Sequence, residues 1–145
     1  MPSKRETILQ ALDARLKVAM RPLRVDYERN ASVPSKIGLR GRVILRDGEP
    51  GQPEVTLSPP IWAYEHRAEL EVFYQGSDGS RELPLDDILV AISQAIATDR
   101  TFGGLCNWCE PEAAQPSDIP VQAGLSFRAV TVGVWLHYDT TDPLQ

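Results

Sequence analysis

The chain is poor in the residues on which most enzymes and metal sites depend. It has two histidines and two cysteines among its 145 residues. Its longest apolar runs fall far short of the roughly 20 residues that cross a bilayer, and no apolar segment follows the charged N-terminus as in a signal peptide. We therefore expect one soluble domain over 1–145, the cytoplasm as the default compartment, and no membrane partner, metal or cofactor.

Positive charge is also scarce, since 15 Lys and Arg oppose 20 Asp and Glu, for a net charge of −5. Proteins that wrap nucleic acid depend on cationic contacts to phosphate, so specific DNA or RNA binding is not expected. A polyanion can still slide through an acidic passage without sticking, because like charges repel. The first thirty residues are basic overall while the rest of the chain is acidic, which indicates either helix-surface charge or one side of a charge-complementary subunit contact.

The candidate catalytic and metal-ligating residues form no known motif. Cys106 and Cys109 make a lone CxxC pair, without the second pair of a zinc site or the helix that follows a redox CxxC. We expect them to be two reduced cysteines in or beside a strand. His66 and His137 lie within strand patterns, where a lone histidine is usually a packed, hydrogen-bonded residue, and no activated nucleophile accompanies them. No catalytic residue is assigned.

Hydrophobic periodicity predicts two helices. Ile8, Leu12, Leu16 and Met20 recur every four residues, which predicts a first helix over 3–20. Ser3 and Glu6 have the spacing of a capping box at its start. A second apolar stripe predicts a helix over 85–98, with two aspartates in its first turn.

Strand patterns fill most of the remaining chain. The last strand, 125–138, is apolar on both faces, so we expect it to be central and buried on both sides or against a partner chain. Strands that follow one another through hairpin-length turns predict an α+β fold: an antiparallel (mixed) sheet with both helices on one face. The shorter predicted elements are strands at 25–30, 42–46, 54–58 and 105–110, turns at Asp47-Gly48 and 76–80, and a polar loop at 112–122.

The predicted strand over 62–74 is the most informative segment. Its even positions are mostly apolar or aromatic, while Glu65, Arg67, Glu69 and Glu71 occupy odd positions. Typical strands have about 3–10 residues, so we expect this one to bend through a bulge or to extend beyond its sheet as an arm or hairpin. The apolar side should pack under the helices, and we expect residues 85–96 to cover part of it. The four charged residues are the candidate surface for contact with a neighbouring subunit or for lining a lumen.

Several stretches of the chain resemble small structural proteins of tailed bacteriophages. Residues 97–105, Ala-Thr-Asp-Arg-Thr-Phe-Gly-Gly-Leu, are similar to the Asp-x-Thr-Leu-Gly-Gly stretch of tail-terminator-like proteins from siphophages, prophages and gene transfer agents. Phe102 stands where that pattern favours Leu. Residues 5–16 resemble the opening helix of small head-to-tail joining proteins, and residues 138–144 resemble the end of their last strand and tail.

The resemblance implies a structural virion protein, a minor tail protein rather than an enzyme. Such subunits form a six-fold ring on the last layer of the tail tube, which ends tube polymerisation and presents a surface to the head connector. The implied partners are other copies of the chain, the tail tube protein and the head–tail connector proteins, with DNA passing through the lumen without specific binding. The implied location is the virion tail, assembled in the host cytoplasm.

Two alternatives to a tail terminator stay open at this point. The first is a small cytoplasmic enzyme or ligand-binding domain with a pocket near Trp62, Tyr64 and His66. The second is another kind of head–tail adaptor protein. The first would act through chemistry or ligand binding, and the second through assembly with different partners.

Overall fold

The computed structural model describes residues 1–32, 38, 40–75, 82–116 and 127–145 of the chain. The turn predicted at 76–80 and the first two residues of the last predicted strand, 125–126, lie outside this part.

Both predicted helices are present. Helix α1 spans Lys4–Met20, and the Ser3 hydroxyl accepts a hydrogen bond from the Glu6 backbone N–H at 3.2 Å, which caps its first turn. Helix α2 spans Glu82–Ala97 and begins earlier than predicted, because proline is tolerated in a first turn and Pro84 does not stop it.

The strands of the described part form one mixed sheet. Its main order is β1-β2-β4-β7-β5, with β3 paired to β4 and β6 paired to β7. In chain order the strands are β1 Asp26–Arg29, β2 Arg42–Glu49, β3 Glu54–Thr56, β4 Ile61–Gln75, β5 Trp108–Pro111, β6 Gln115–Pro116 and β7 Phe127–Thr140.

Strands β4 and β7 form the long axis of the sheet. They run antiparallel in unbroken register, from Trp62 opposite Thr140 to Gln75 opposite Phe127. The other edge of β4 pairs with β2 and then with β3. The predicted long strand is therefore confirmed, but both explanations of its length were wrong for the described residues. Strand β4 has 15 residues and β7 has 14, and their pairing from Trp62 to Gln75 keeps β4 within the sheet along this length.

The turn predicted at Asp47-Gly48 is instead a bulge inside β2. The register of β2 against β4 shifts between Arg46 and Glu49, and Gly48 has a φ of 67°. A Cβ at Gly48 would lie 1.9 Å from the backbone oxygen of Arg67, so glycine is needed at this close approach. Turns and glycine bulges both favour an Asp-Gly pair, so the same two residues predicted a turn where the structure has a bulge.

Two further details of the sheet differ from the prediction. Strands β1 and β2 pair in parallel, so they are not joined as a hairpin. The segment predicted as a polar loop contains the short strand β6, which pairs with Val130 and Thr131 of β7. Both differences arise from pairing between distant segments, which local turn signals do not encode.

The hydrophobic core lies between the helices and one face of the sheet, as predicted. Ile8 and Leu12 of α1 and Ile88 and Ile92 of α2 are buried together with the even-numbered apolar side chains in the middle of β4 and β7. Burying one such side chain contributes about 1.5–3 kcal/mol to folding. A second, small cluster of Ile44 and Phe73 lies on the opposite face of the sheet.

Candidate functional site

The odd-numbered positions of β4 face away from the helices, because side chains alternate along a strand. The register places His137 opposite Glu65, Trp135 opposite Arg67 and Arg46 opposite Glu69, on this same face. We call this surface the charged face. It comprises Arg46 and Glu49 of β2, Glu65, Arg67, Glu69 and Glu71 of β4, Gly133, Trp135 and His137 of β7, Glu110 of β5 and Glu112 just after β5.

A hydrogen-bonded network centred on Arg67 organises the charged face. Its guanidinium contacts Glu69 through Nη1 at 2.8 Å and holds both carboxylate oxygens of Glu112, through Nε at 3.2 Å and Nη2 at 3.1 Å. The indole Nε1–H of Trp135 donates to the same Glu112 carboxylate at 2.6 Å. Hydrogen bonds from Arg67, and then from Trp135, hold the pKa of Glu112 below its ordinary value. The network therefore fixes side chains from separate strands in one arrangement.

Gly133 makes this network possible. A Cβ there would lie 2.5 Å from Nη2 of Arg67 and 2.6 Å from Oε2 of Glu112, closer than real side-chain contacts allow. Because Gly133 has no side chain, the Arg67–Glu112 ion pair can lie across β7 at this position. We call this space the slot at Gly133. A glycine within a strand often marks such an approach, but the sequence pattern assigned Gly133 to an apolar face.

Within the chain, the predicted burial of β7 on both faces holds for one face only, and burial of the other face against a partner chain stays a prediction. The side chains of Val132, Val134 and Leu136 are buried towards the helices. On the other face Thr131 and Trp135 are only half-buried, and the described part of the chain provides no helix that covers them. This face is occupied instead by the Arg67–Glu112 ion pair.

The predicted contact residues differ in how available they are. All four lie on the charged face, and their role as a contact surface stays a prediction. The Glu71 side chain is only 12% exposed and pairs with Arg46, at 3.0 Å between Oε1 and Nε. Glu65 is 75% exposed, and its nearest charged partner is His137, whose Nδ1 is 4.0 Å from Oε1. Glu65 is thus the one best placed to contact another molecule.

The charged face carries an excess of negative charge. Its carboxylates outnumber the guanidiniums of Arg46 and Arg67, and exposed Glu49 and Glu110 form no ion pair within the described residues. A recess of about 600 Å³ opens on this face between the chain around Gln52 and the Trp135 side chain. Sequence reasoning missed Glu110, Glu112 and Trp135, because only the register of β5 and β7 brings them here.

His66 is a packed core residue, as predicted. It is fully buried, and its Nε2–H donates to the carbonyl of Asp47 at 2.5 Å. Since a carbonyl only accepts, Nδ1 is left to accept from the Tyr138 hydroxyl at 3.2 Å. Burial lowers the pKa of His66, so the ring stays neutral near pH 7 and serves to tie β4 to the bulge of β2.

A smaller cavity lies where the pocket of the alternative interpretation was expected. It has a volume of about 390 Å³ and is lined in part by Tyr64, Glu65 and His137. Neither Trp62 nor His66 lines it. The histidine available to a bound molecule there is therefore His137 and not His66.

The two cysteines are free thiols, both buried, and Cys109 lies within β5 with Cys106 just before it. Their predicted location is confirmed. Burial raises the pKa of Cys109 to about 12, so the thiol stays protonated near neutral pH. Within the described ranges, no group of three or more His, Cys, Asp or Glu is placed to hold a metal ion.

The stretch on which the resemblance mainly rests forms a tight turn between α2 and β5. The Asp99 carboxylate accepts hydrogen bonds from the backbone N–H groups of Thr101, at 3.0 Å, and Gly103, at 2.7 Å. Phe102, Gly103 and Gly104 all have positive φ, and the ring of Phe102 lies 4.6 Å below the guanidinium of Arg15 in α1. The Asp, Thr and Gly residues therefore have structural roles in the turn that leads from α2 into β5 and seats Phe102 against α1.

The fold and the charged face together define an α+β protein in which the described helices cover one side of the sheet. No protein-family model matches the chain, and no curated protein matches it in sequence. Neither described helix is both long and apolar enough to cross a membrane.

Proposed function

We propose that the protein is a structural virion protein of the tail-terminator class. Its copies form a six-fold ring that caps the tail tube, ends tube polymerisation and joins the tail to the head connector. The observation that supports this proposal best is the charged face, an ordered, half-exposed sheet surface with no helix layer over it in the described part of the chain. Such a surface suits contact with another macromolecule.

The charge of the chain fits a passage for DNA. The net charge is −5, and the charged face adds a local excess of carboxylates. Phosphate groups are repelled by such a surface, so DNA can slide past without being retained.

The test of this proposal is tube polymerisation in the presence of the protein. Tail tube protein from the same genome is polymerised with and without the purified chain, and tube lengths and ends are measured by negative-stain electron microscopy. We expect ring-shaped caps at tube ends and shorter tubes as the ratio of the chain to the tube protein rises. Tubes of unchanged length with bare ends would refute the proposal. Rings that bind the connector but not the tube would favour another head–tail adaptor.

A second candidate function is a ligand-binding domain or small enzyme. The 390 Å³ cavity beside His137 is the observation that favours it. His137→Ala would then abolish ligand binding or turnover and leave assembly unchanged. If His137→Ala reduced neither ligand binding nor turnover, this candidate function would be ruled out.

A further inference from the structure

We propose that neighbouring copies in the ring contact each other through the charged face of one copy and the outer surface of α1 of the next. This inference rests on the proposed function, because it names the contact that closes the ring. Its occupant is a second copy of the chain, and the argument for it is charge complementarity between two surfaces on opposite sides of the subunit.

The outer surface of α1 is basic and has unused charges. Lys17 and Arg21 are exposed one helical turn apart, Val18 beside them is 58% exposed, and Arg24 is exposed just after the helix. We call these four residues the basic helix surface. None of its three cations forms an ion pair within the described residues.

The acidic side chains of α1 do not neutralise this surface, because both are engaged elsewhere. Glu6 pairs with Arg29 of β1 at 2.9 Å. The carboxylate of Asp13 accepts the Tyr27 hydroxyl at 2.8 Å. The positive charge at the end of α1 is therefore available to another molecule.

The charged face offers the matching negative groups. Glu49, Glu65 and Glu110 are exposed there and stand outside the Arg67 network. The 600 Å³ recess beside Trp135 has room for a long basic side chain. Arg46 and Arg67 also line it, but both are already paired with glutamates of the face. Glu49 and Glu65 are the lining carboxylates left for a basic side chain, and the indole of Trp135 can lie against its charge.

The two surfaces cannot meet within one copy. The helices cover one face of the sheet and the charged face is the other, so the sheet itself lies between them. A contact between unlike surfaces is heterologous: each copy uses both, and the assembly closes into a ring when the rotation per copy allows it. Opposite charge sets the register of such a contact and speeds association.

The experiment compares two charge-reversed variants, alone and mixed. The first is Lys17→Glu with Arg21→Glu, which makes both surfaces acidic. The second is Glu65→Lys with Glu110→Lys, which leaves two lysines against Glu49 among the groups of the charged face that pair with no arginine, so that this face repels a basic helix surface. We expect each variant alone to lose the ring in sedimentation velocity and negative-stain images, because every contact repels. An equimolar mixture should regain rings, because alternating copies place unlike charges at every contact.

The matched control carries the same charge change as the second variant at exposed positions of α2, as Asp86→Lys with Asp87→Lys. It should form rings like the wild type, and circular dichroism should show that all the variants are folded. If either reversed variant alone forms rings, the inference is wrong while the proposed function stands. Folded variants that do not form rings when mixed would also overturn it, in favour of a basic segment of the tail tube or connector as the occupant. A wild-type chain that stays monomeric would contradict both proposals.

Discussion

The two faces of the sheet are built from the same strands but differ in character: one is apolar and buried, and the other is charged and partly exposed. On the helix-covered face, Leu70 and Val132 lie opposite each other in β4 and β7 and are buried in the core. On the other face Glu69, the residue before Leu70, lies opposite Gly133. The Arg67–Glu112 ion pair occupies the space that a side chain at position 133 would take. The main core, and with it most of the stability, therefore lies on the helix-covered face, which leaves the other face free to carry charge for contacts.

The largest expected effect comes from truncating a core residue of β4. Leu70→Ala should lower the free energy of unfolding by about 2–5 kcal/mol, because it removes buried apolar atoms and leaves a cavity. The neighbouring Glu69→Ala on the charged face should cost at most about 1 kcal/mol, the usual value for a partly exposed ion pair. Urea denaturation of both variants checks this, and equal losses would show that the two faces contribute alike.

The next effect tests the slot at Gly133. Gly133→Ala should lower the free energy of unfolding by about 1 kcal/mol, the low end of the cost of overpacking, because its Cβ meets only the flexible ends of Arg67 and Glu112 and displaces that pair. The indole of Trp135 would lose its carboxylate partner, so its fluorescence should shift. In an Arg67→Ala background the cost of Gly133→Ala should shrink, since the crossing guanidinium is gone. If the cost of Gly133→Ala is the same in that background, the Arg67 side chain is not the reason for glycine at position 133.

An intermediate effect is expected from the ion pairs that join α1, β1 and β2. Arg29 holds Glu6 at 2.9 Å and Asp47 at 2.8 Å. Its hydrogen bonds lower the pKa of Glu6. Burial alone would raise the pKa of Asp47, but hydrogen bonds from Arg29 and Asn30 lower it overall. A carboxylate whose pKa is lower in the folded state than in the unfolded chain stabilises the fold at pH values above its unfolded pKa, which is 4.5 for Glu6 and 3.8 for Asp47. This stabilisation is lost as the pH falls through the folded pKa.

Arg29→Gln should therefore reduce stability near pH 7 and flatten its fall in acid. Unfolding measured between about pH 7 and pH 3 on both proteins checks this, with the difference between them shrinking as the carboxylates are protonated. A difference that stays constant over this range would show that Arg29 acts through packing alone.

The smallest effect on stability is expected at the residue most available for contact. Glu65→Gln should change the free energy of unfolding by less than about 0.5 kcal/mol, because exposed side chains away from special features contribute little. Its effect should appear in assembly, as a higher protein concentration needed for ring formation. Loss of stability larger than that of Glu69→Ala would contradict the division between the faces.

The sequence allowed the faces of β4 to be predicted because alternation is a local property. Glu65, Arg67, Glu69 and Glu71 lie on one face as their spacing required, and the two helices cover the other. The residues that complete the charged face could not be predicted. Glu112 and Trp135 reach Arg67 only through the register of β5 and β7, which depends on pairing over long distances in sequence.

Asp47-Gly48 and Gly133 show the same limit. The first pair has the composition of a turn and forms a bulge, because both structures need a positive φ at glycine. At Gly133 the reason for glycine is a side chain that arrives from the neighbouring strand. The Asp-Gly pair can thus be recognised from the sequence as a special backbone position, whereas nothing local to Gly133 indicates the side chain that requires glycine there.

The central claim, that the protein acts by assembling into a ring, is tested most directly by the mass and shape of the purified chain in solution. Sedimentation velocity combined with negative-stain imaging over a range of concentrations measures both. We predict one closed species of six copies that appears as a ring and weakens as salt rises. A monomer at every concentration, in images without rings, would contradict the account.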